Sequence, residues 1–264
     1  MATRARTPAT LTAYVLHRYD WSESSLILDL FTREQGRLAV AAKGAKRPYS
    51  QLRSVLLPFQ RLHVGLGRMP KVGADQEPQH EVQTLRSAEW AGGAAMLTGA
   101  ALFSGFYLNE LLMRLIARHD PHPALFDVYA ETLPALAAND ERQVQAALRA
   151  FEISVIKEIG VLPDLSLVTS TQAELRAAER YALLPEAGVA AARGGEADIV
   201  GRALIDLQAA LEHGSLAALQ QACASALPEL KAVLRSLLHY HLGSPLLRTR
   251  QVMLDVQALA NTPS

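Results

Sequence analysis

The positively charged side chains of this sequence are concentrated in one stretch, residues 31–59, FTREQGRLAVAAKGAKRPYSQLRSVLLPF. Six cations fall within it and only Glu34 opposes them, giving a net charge of +5: Arg33, Arg37, Lys43, Lys46, Arg47 and Arg53. Tyr49 adds an aromatic ring among them. Cations attract phosphates and aromatic rings stack on bases, so this stretch offers the chemistry of nucleic-acid binding. The alternative is a solvated basic loop that serves solubility alone.

The elements that must position this stretch are short strands. Apolar and polar residues alternate over five segments, which we predict to be strands: 10–17, 25–32, 37–42, 55–66 and 81–89. Gly44, Pro48 and Ser50 keep the basic connection between the third and fourth strands flexible and outside regular structure. Pro58 fits the fourth strand only at an edge or a bulge. Five short strands with a long basic loop favour a small closed barrel, of which the OB-fold is the commonest that binds nucleic acid.

After Trp90 the sequence takes on the periodicity of helices. The predicted helices are 96–118, 123–138, 141–159, 201–213, 215–227, 229–242 and 250–260. Asp140 and Ser215 are predicted to cap two of them, and Gly160 and Gly243 to end two. Pro134 should kink or shorten the second helix. Residues 161–198 are punctuated by proline and glycine and predict only one possible strand, 181–184.

We therefore predict an α+β protein of two domains, a five-stranded barrel over 1–90 and a mostly α-helical domain over 91–264 with an irregular insertion at about 161–198. Its formal net charge of zero conceals a division. Residues 1–71 hold 12 Lys and Arg against 4 Asp and Glu, a net charge of +8, and residues 72–264 carry −8. A basic first part joined to an acidic remainder indicates a polyanion-binding module on a body with a different task.

Other residues indicate the cellular compartment and argue against a membrane span. Cys223 is the only cysteine, so no disulfide can form within the chain, as is typical of a reducing cytosol. Residues 1–9 are predicted to be a disordered basic lead without the apolar core of a signal peptide. Trp90 to Asn109 is uncharged over 20 positions, but Glu110 and Arg114 continue its helical pattern. We predict a buried helix there and not a membrane span.

No pattern predicts catalysis, a metal or a cofactor. Ser154 and Lys157 match a Ser-x-x-Lys nucleophile pattern, but its companion motifs are missing. His239 and His241 are two positions apart on a predicted helix and so point to different faces. A phosphate-binding Gly-rich loop and a compact carboxylate cluster are also missing from the sequence. We predict that the protein is not an enzyme; a nucleic-acid-processing enzyme and a pure interaction scaffold remain the alternatives.

Six strings resemble the bacterial DNA repair and recombination mediator family RecO. They are AYVLHRYDWSESSLILDLFTREQGRLAVAAKGAKR (13–47), LPFQ (57–60), VQTLRSAE (82–89), LFSGFYLNELLMRL (102–115), LRAFE (148–152) and LGSPLLRTR (242–250). The first, third and fourth are the most specific. Residues 161–198 match weakly. Some family members carry a four-cysteine zinc module there, and this chain has none of those cysteines, so zinc is not implied.

The resemblance implies an N-terminal OB-fold and a helical C-terminal domain. It implies binding of single- and double-stranded DNA without sequence specificity, and annealing of complementary strands. It also implies partnership with RecR in loading the RecA recombinase onto DNA coated by single-stranded DNA-binding protein, SSB. The helical domain of the family docks the acidic, hydrophobic C-terminal tail of SSB. The implied location is the cytoplasm, at the nucleoid.

Site residues follow from the residues and the resemblance together. We expect phosphate contacts from Lys43, Lys46 and Arg47, with Arg37 and Arg53 as weaker candidates. We expect Tyr49 either to stack on a base or to pack on its own barrel, and Trp21 to be a barrel plug or a rim residue.

For the SSB tail, the helix bearing LRAFE offers Arg149 beside an apolar stripe that includes Leu148 and Phe151. The alternative for Arg149 is an exposed arginine paired with Glu152 one turn later.

Overall fold

The computed structural model describes residues 10–67, 82–93, 96–138, 140–195, 198–243, 247–249 and 251–252. The chain divides into two compact units. One holds residues up to Met96 together with Ile116–Asp127, and the other holds Leu97–Leu115 with the residues from Val128 onward. The predicted basic lead at 1–9 and the last predicted helix lie outside the described residues, apart from Gln251 and Val252 of that helix.

The first unit is built on a closed five-stranded barrel, as predicted. Its elements are β1 (Thr10–Asp20), β2 (Leu26–Thr32), β3 (Gly36–Ala42), the short helix α1 (Leu52–Val55), β4 (Arg61–Leu66) and β5 (Gln83–Trp90). The strand order is β1-β2-β3-β5-β4, with β4 pairing back onto β1. Only β3 and β5 run parallel. This arrangement is consistent with the predicted OB-fold.

The predicted fourth strand, 55–66, begins six residues later than expected. Residues 52–55 form the helical turn α1, and β4 starts at Arg61. Pro58 has no N–H to give to a ladder, and Phe59 has a positive φ of 65°, which a strand cannot accommodate. The chain therefore cannot pair regularly until it has passed both residues.

The barrel interior is filled by every second residue of its strands, as the alternation predicts. The register sets Val15 opposite Leu30, and Leu30 opposite Leu38. These side chains belong to one buried apolar cluster: Leu11, Ala13, Val15, Leu28, Leu30, Leu38, Val40, Ala42, Ala45, Leu56, Leu62, Val64 and Leu85. The intervening residues face outward.

Part of the outer face of the barrel is covered by Ile116–Asp127, which belongs to the same unit. The ring of Phe126 lies 5.3 Å from that of Tyr14 and 5.4 Å from that of Phe31. Gly36, with φ of +70°, has the Asp120 carbonyl so close that a Cβ there would collide with it. A single boundary at residue 90, as expected from the sequence, leaves this segment out of the barrel unit.

The helices of the rest of the chain lie close to their predicted positions: α2 (Gly99–Leu115), α3 (Pro123–Leu136), α4 (Glu141–Glu158), α5 (Gly201–His213), α6 (Leu216–Ala224) and α7 (Leu227–Leu242). Asp140 caps α4 by accepting from the N–H of Arg142 at 2.9 Å, and Ser215 caps α6. Pro134 lies in the last turn of α3, which ends two residues later. No helix among the described residues has the length and apolar character needed to cross a membrane.

The predicted irregular insertion contains a small antiparallel sheet. Its strands are β6 (Arg180–Leu184), β7 (Gly188–Ala191) and β8 (Ile199–Val200), in the order β7-β6-β8. The possible strand at 181–184 is therefore present. Next to β8, the Asp198 carboxylate accepts from the N–H groups of Gly194 at 2.7 Å and Gly195 at 3.1 Å. A carboxylate and backbone donors hold this turn without any cysteine.

Candidate nucleic-acid interface and helical groove

The basic loop, residues 43–51, joins β3 to α1 at one end of the barrel. It lies outside helices and strands, but its backbone is held by hydrogen bonds. The N–H of Lys46 donates to the Ser24 carbonyl at 3.0 Å, and that of Gly44 donates to the Ser25 hydroxyl at 3.3 Å. The N–H of Arg47 closes a turn onto the Gly44 carbonyl at 3.1 Å. The loop is thus fixed to the β1–β2 connection, more tightly than a flexible loop would be.

The four cations of this region differ in their exposure and in whether they have an acidic partner. Lys43 and Arg47 on the loop and Arg53 on α1 are exposed, and none of the three has an acidic partner among the described residues. Lys46 is one-third exposed; its Nζ lies 3.0 Å from Asp20 Oδ1 and donates to the Ser22 carbonyl at 3.2 Å. A phosphate can reach the first three directly, whereas at Lys46 it must compete with Asp20.

Aromatic side chains are exposed on the loop and on the connection that holds it. Tyr49 is 98% exposed, so it does not pack on its own barrel. Trp21, in the β1–β2 connection, is 57% exposed, so it is a rim residue and not a plug. Tyr19 is also exposed, and its ring lies 4.4 Å from that of His17. Tyr19 was not among the expected site residues, because the predicted first strand ended at residue 17, whereas β1 continues to Asp20.

Arg37, expected to contact DNA, is instead buried on the outer face of the barrel. Its guanidinium donates to both oxygens of Asp29, at 3.2 and 2.8 Å, and to the Ile116 carbonyl at 2.7 Å. Only 8% of its side chain is exposed. Arg37 pairs with Phe31, and Asp29 lies two pairs further along the β2–β3 ladder on the same outer face, within diagonal reach of the guanidinium. Arg37 is therefore not available to a phosphate.

Arg33 is also engaged within the first unit. It makes a bidentate pair with Asp127, with both N···O distances at 2.9 Å. The hydrogen bond from Arg33 holds the pKa of the Asp127 carboxyl below its usual value. Of the six cations in residues 31–59, two are thus committed to internal pairs and four remain at the loop end of the barrel.

The second unit contains a groove of about 310 Å³ between α2, α4 and α7. Its lining combines apolar and cationic side chains: Phe103, Ser104, Tyr107, Gln145, Leu148, Arg149, Glu152, Lys231, Arg235, Leu238, His239, Leu247 and Thr249. Three cations and one carboxylate line this groove. An apolar groove with surplus positive charge fits a peptide that is both hydrophobic and acidic.

The floor of the groove is a buried ion pair. Arg149 Nη2 lies 2.8 Å from Glu152 Oε1, and the Tyr107 hydroxyl donates to the same oxygen at 2.6 Å. Arg149 Nε and Glu152 Oε2 are buried without a hydrogen-bond partner among the described residues. Burial raises the pKa of Glu152, although Arg149, Tyr107 and Arg235 oppose the shift. The alternative pairing of Arg149 with Glu152 is present, but as a buried pair and not on an exposed surface.

Leu148 lines the groove, whereas Phe151, expected beside it, does not. Phe151 is fully buried and its ring lies 6.2 Å from that of Tyr129. Around α4, Phe151 lies on the opposite side of Leu148 from Arg149 and Glu152. Phe151 therefore supports the helix from the core and does not meet a peptide in the groove.

One wall of the groove is formed by Leu247 and Thr249, near the end of the described chain, and Glu110 holds this segment in place. Glu110 on α2 accepts from the N–H groups of Arg248 and Thr249, each at 2.9 Å, and pairs with Arg114 at 2.9 Å. Burial alone would raise the pKa of Glu110, but these partners hold it below its ordinary value. Sequence reasoning missed Tyr107, Lys231 and Arg235, because α2 and α7 meet α4 only in the folded unit.

No catalytic arrangement accompanies these surfaces in the part of the chain that the structure describes. No three His, Cys, Asp or Glu residues there converge to hold a metal ion. The hydroxyl of Ser154 donates to the Ala150 carbonyl, and Lys157 Nζ donates to the Leu211 carbonyl, so the Ser-x-x-Lys pair is not joined. Burial raises the pKa of the Cys223 thiol to about 12, so that it stays protonated.

Comparison with known proteins gives matches along most of the chain. Residues 7–73 match the family model "Recombination protein O N terminal", and residues 96–250 match "Recombination protein O C terminal". A protein of Polaromonas sp. (strain JS666) named DNA repair protein RecO is 51% identical over 249 residues, which cover 94% of this chain and 96% of the relative. A protein of the same name from Acidovorax ebreus is 50% identical over 266 residues, covering 97% and 99%. One from Variovorax paradoxus is 49% identical over 256 residues, covering 94% and 96%.

Proposed function

This chain belongs to the RecO family of DNA repair proteins, and on that premise we propose that it binds single- and double-stranded DNA without sequence specificity through the basic loop. The observation that carries the proposal is the set of exposed cations at one end of the barrel. Lys43, Arg47 and Arg53 have no acidic partner among the described residues, and Lys46 has one that is exposed. Such a set attracts phosphates of either form of DNA by counterion release.

The contacts are to the backbone and not to base edges. The groups presented there are point charges and flexible guanidinium groups on a turn, and the only helix beside them among the described residues, α1, has four residues, too few to read a major groove. Tyr49 and Trp21 add ring faces, which stack on any unpaired base. This combination favours binding that tolerates all sequences. Neutralising phosphates on two strands lowers their repulsion, which is how the protein promotes annealing of complementary strands.

The helical groove is the proposed docking site for the SSB tail. Arg149, Lys231 and Arg235 supply positive charge beside the apolar Leu148 and its neighbours, which suits an acidic, hydrophobic peptide ending in a carboxylate. Together with RecR, the protein would then help to load RecA onto SSB-coated single-stranded DNA, in the cytoplasm at the nucleoid. Contact with RecA is indirect in this proposal, and neither unit is assigned to RecR.

We propose a mediator without catalytic activity. Among the described residues, no three His, Cys, Asp or Glu side chains converge to hold the metal ions of a nuclease, and Ser154 and Lys157 bind separate carbonyls. Strand cleavage or nucleotide consumption by pure protein would contradict this part of the proposal.

The test of DNA binding is fluorescence anisotropy with labelled oligonucleotides. Within each form, single-stranded or duplex, DNA of several unrelated sequences should bind with similar affinity, and binding should weaken steeply as salt rises. A flat titration with both forms at low salt would refute the proposal and leave a pure interaction scaffold. A mixture of complementary strands should anneal faster with the protein than without it.

A further inference from the structure

The floor of the helical groove contains the carboxylate of Glu152. It competes with a bound peptide's carboxylate for the guanidinium of Arg149. Glu152 is 1% exposed, and its Oε1 forms an ion pair with Nη2 of Arg149 at 2.8 Å. Arg149 is itself 8% exposed and lines the groove. While this pair is intact, part of the arginine fork faces an internal acid and not the groove.

Two buried polar atoms of this pair have no partner among the described residues, Arg149 Nε and Glu152 Oε2. A buried donor and a buried acceptor left unsatisfied each carry a desolvation cost, so a ligand that satisfies either of them gains affinity. Arg149 Nε is shielded while the pair is intact, and a peptide carboxylate can accept from it once the side chain is released from Glu152. The Oε2 of Glu152 becomes a donor when it takes up a proton.

We propose that Glu152 is the positioning residue of the groove: it holds Arg149 in the empty groove, and by taking up a proton from solvent on Oε2 it releases Arg149 to the carboxylate of an acidic peptide. This inference rests on the proposed docking function. In the balance, one proton moves from solvent to Glu152, and one ion pair, Arg149 with Glu152, is exchanged for another, Arg149 with the peptide.

The groups around Glu152 set the direction of the pH effect. Tyr107 on α2 and Arg149 on α4 contact it directly, Arg235 on α7 acts on it by charge, and Cys223 on α6 stays neutral. Burial raises the pKa of Glu152 against these favourable partners. Below that pKa, the neutral acid leaves Arg149 free and binding is tight. Above it, the ionised acid competes and binding weakens, by at most about tenfold per pH unit for one proton.

The experiment is isothermal titration of the full-length protein with a synthetic acidic peptide ending in a free carboxylate, from about pH 5.5 to about pH 9, where the peptide carboxyls stay ionised. The wild-type dissociation constant should rise with pH. Glu152→Gln should bind at least about tenfold more tightly at the highest pH, the gain of one freed charged hydrogen bond, and converge with wild type as the pH falls. Any pH dependence common to both proteins does not come from Glu152.

Two further variants make the result specific. Glu158→Gln removes one carboxylate from the same helix outside the groove lining and should follow the wild-type profile. Tyr107→Phe removes the hydrogen bond that favours ionised Glu152, so the fall in affinity should move to higher pH. Circular dichroism of each variant checks its fold.

The outcomes separate the two proposals. If wild type and Glu152→Gln bind the peptide equally at every pH and Tyr107→Phe leaves the profile unmoved, the inference about Glu152 is wrong while the docking site stands. If no version of the protein binds the peptide, the docking function fails and the inference fails with it.

Discussion

The salt dependence of DNA binding gives a quantitative test of the basic loop. Each phosphate neutralised on single-stranded DNA contributes about −0.7 to the slope of log K against log salt. Lys43 and Arg47 are exposed and have no acidic partner among the described residues, so Lys43→Ala with Arg47→Ala should flatten the slope by about 1.4. Adding Lys46→Ala should bring the change to about 2 at most, because Lys46 must leave Asp20 before it meets a phosphate.

The assay is anisotropy with a labelled single strand over a series of salt concentrations, with a matched control for net charge. Arg176→Ala with Arg202→Ala removes two exposed cations from the second unit, where each is paired with a nearby acid at 3.0 and 3.2 Å. That control should keep the wild-type slope. The reasoning is refuted if the loop variants keep the wild-type slope, or if the control flattens it as much as they do.

Three other predictions address the remaining residues. Arg149→Ala should weaken binding of an SSB-tail peptide by about 10- to 150-fold in isothermal titration while bare DNA binding stays near wild type, and the Lys43, Lys46 and Arg47 triple variant should show the reverse. Arg37→Ala should leave the salt slope unchanged but lower the unfolding free energy by about 1.5–3 kcal/mol in a denaturant titration, because Asp29 loses its bidentate partner and keeps only Arg118, at 3.3 Å; equal stability with a flatter slope would contradict it. Purified protein should hold no stoichiometric zinc by elemental analysis, and a chelator should leave its melting temperature unchanged; about one zinc per chain would contradict this.

The strands and helices were predictable because their periodicity is local. Alternating apolar residues such as Leu28 and Leu30 have to face the same side of a strand. That requirement was enough to predict where most strands of the barrel begin and end. The predicted fourth strand was wrong at its start. Pro58 lacks the N–H that a strand ladder needs and Phe59 has a positive φ, and the pattern of apolar residues contains neither constraint. Helix caps such as Asp140 were readable because side chain and backbone donor lie two residues apart.

The site was less predictable, because burial decides which charges are available. Arg37 and Arg47 are both arginines of the same basic stretch, yet one is bound to Asp29 and the other is exposed. The partner of Arg33, Asp127, lies 94 residues away in the chain. The groove combines residues from α2, α4 and α7, which are far apart in the sequence. The burial of Arg149 Nε and Glu152 Oε2 depends on how these helices pack, so a local sequence pattern could not predict it. Sequence patterns identify the residues, and long-range pairing determines their roles.

The acidic balance of residues 72–264 does not prevent an acidic peptide from binding in the groove. Charges separated by more than about 8 Å in physiological salt are largely screened, so the lining dominates the local field. The acid of the wall, Glu110, is neutralised by Arg114 and satisfied by the N–H groups of Arg248 and Thr249. The acid of the floor, Glu152, is paired with Arg149, and burial favours its neutral form. Lys231 and Arg235 are left exposed at the lining, so the groove is locally positive on a body whose net charge is negative.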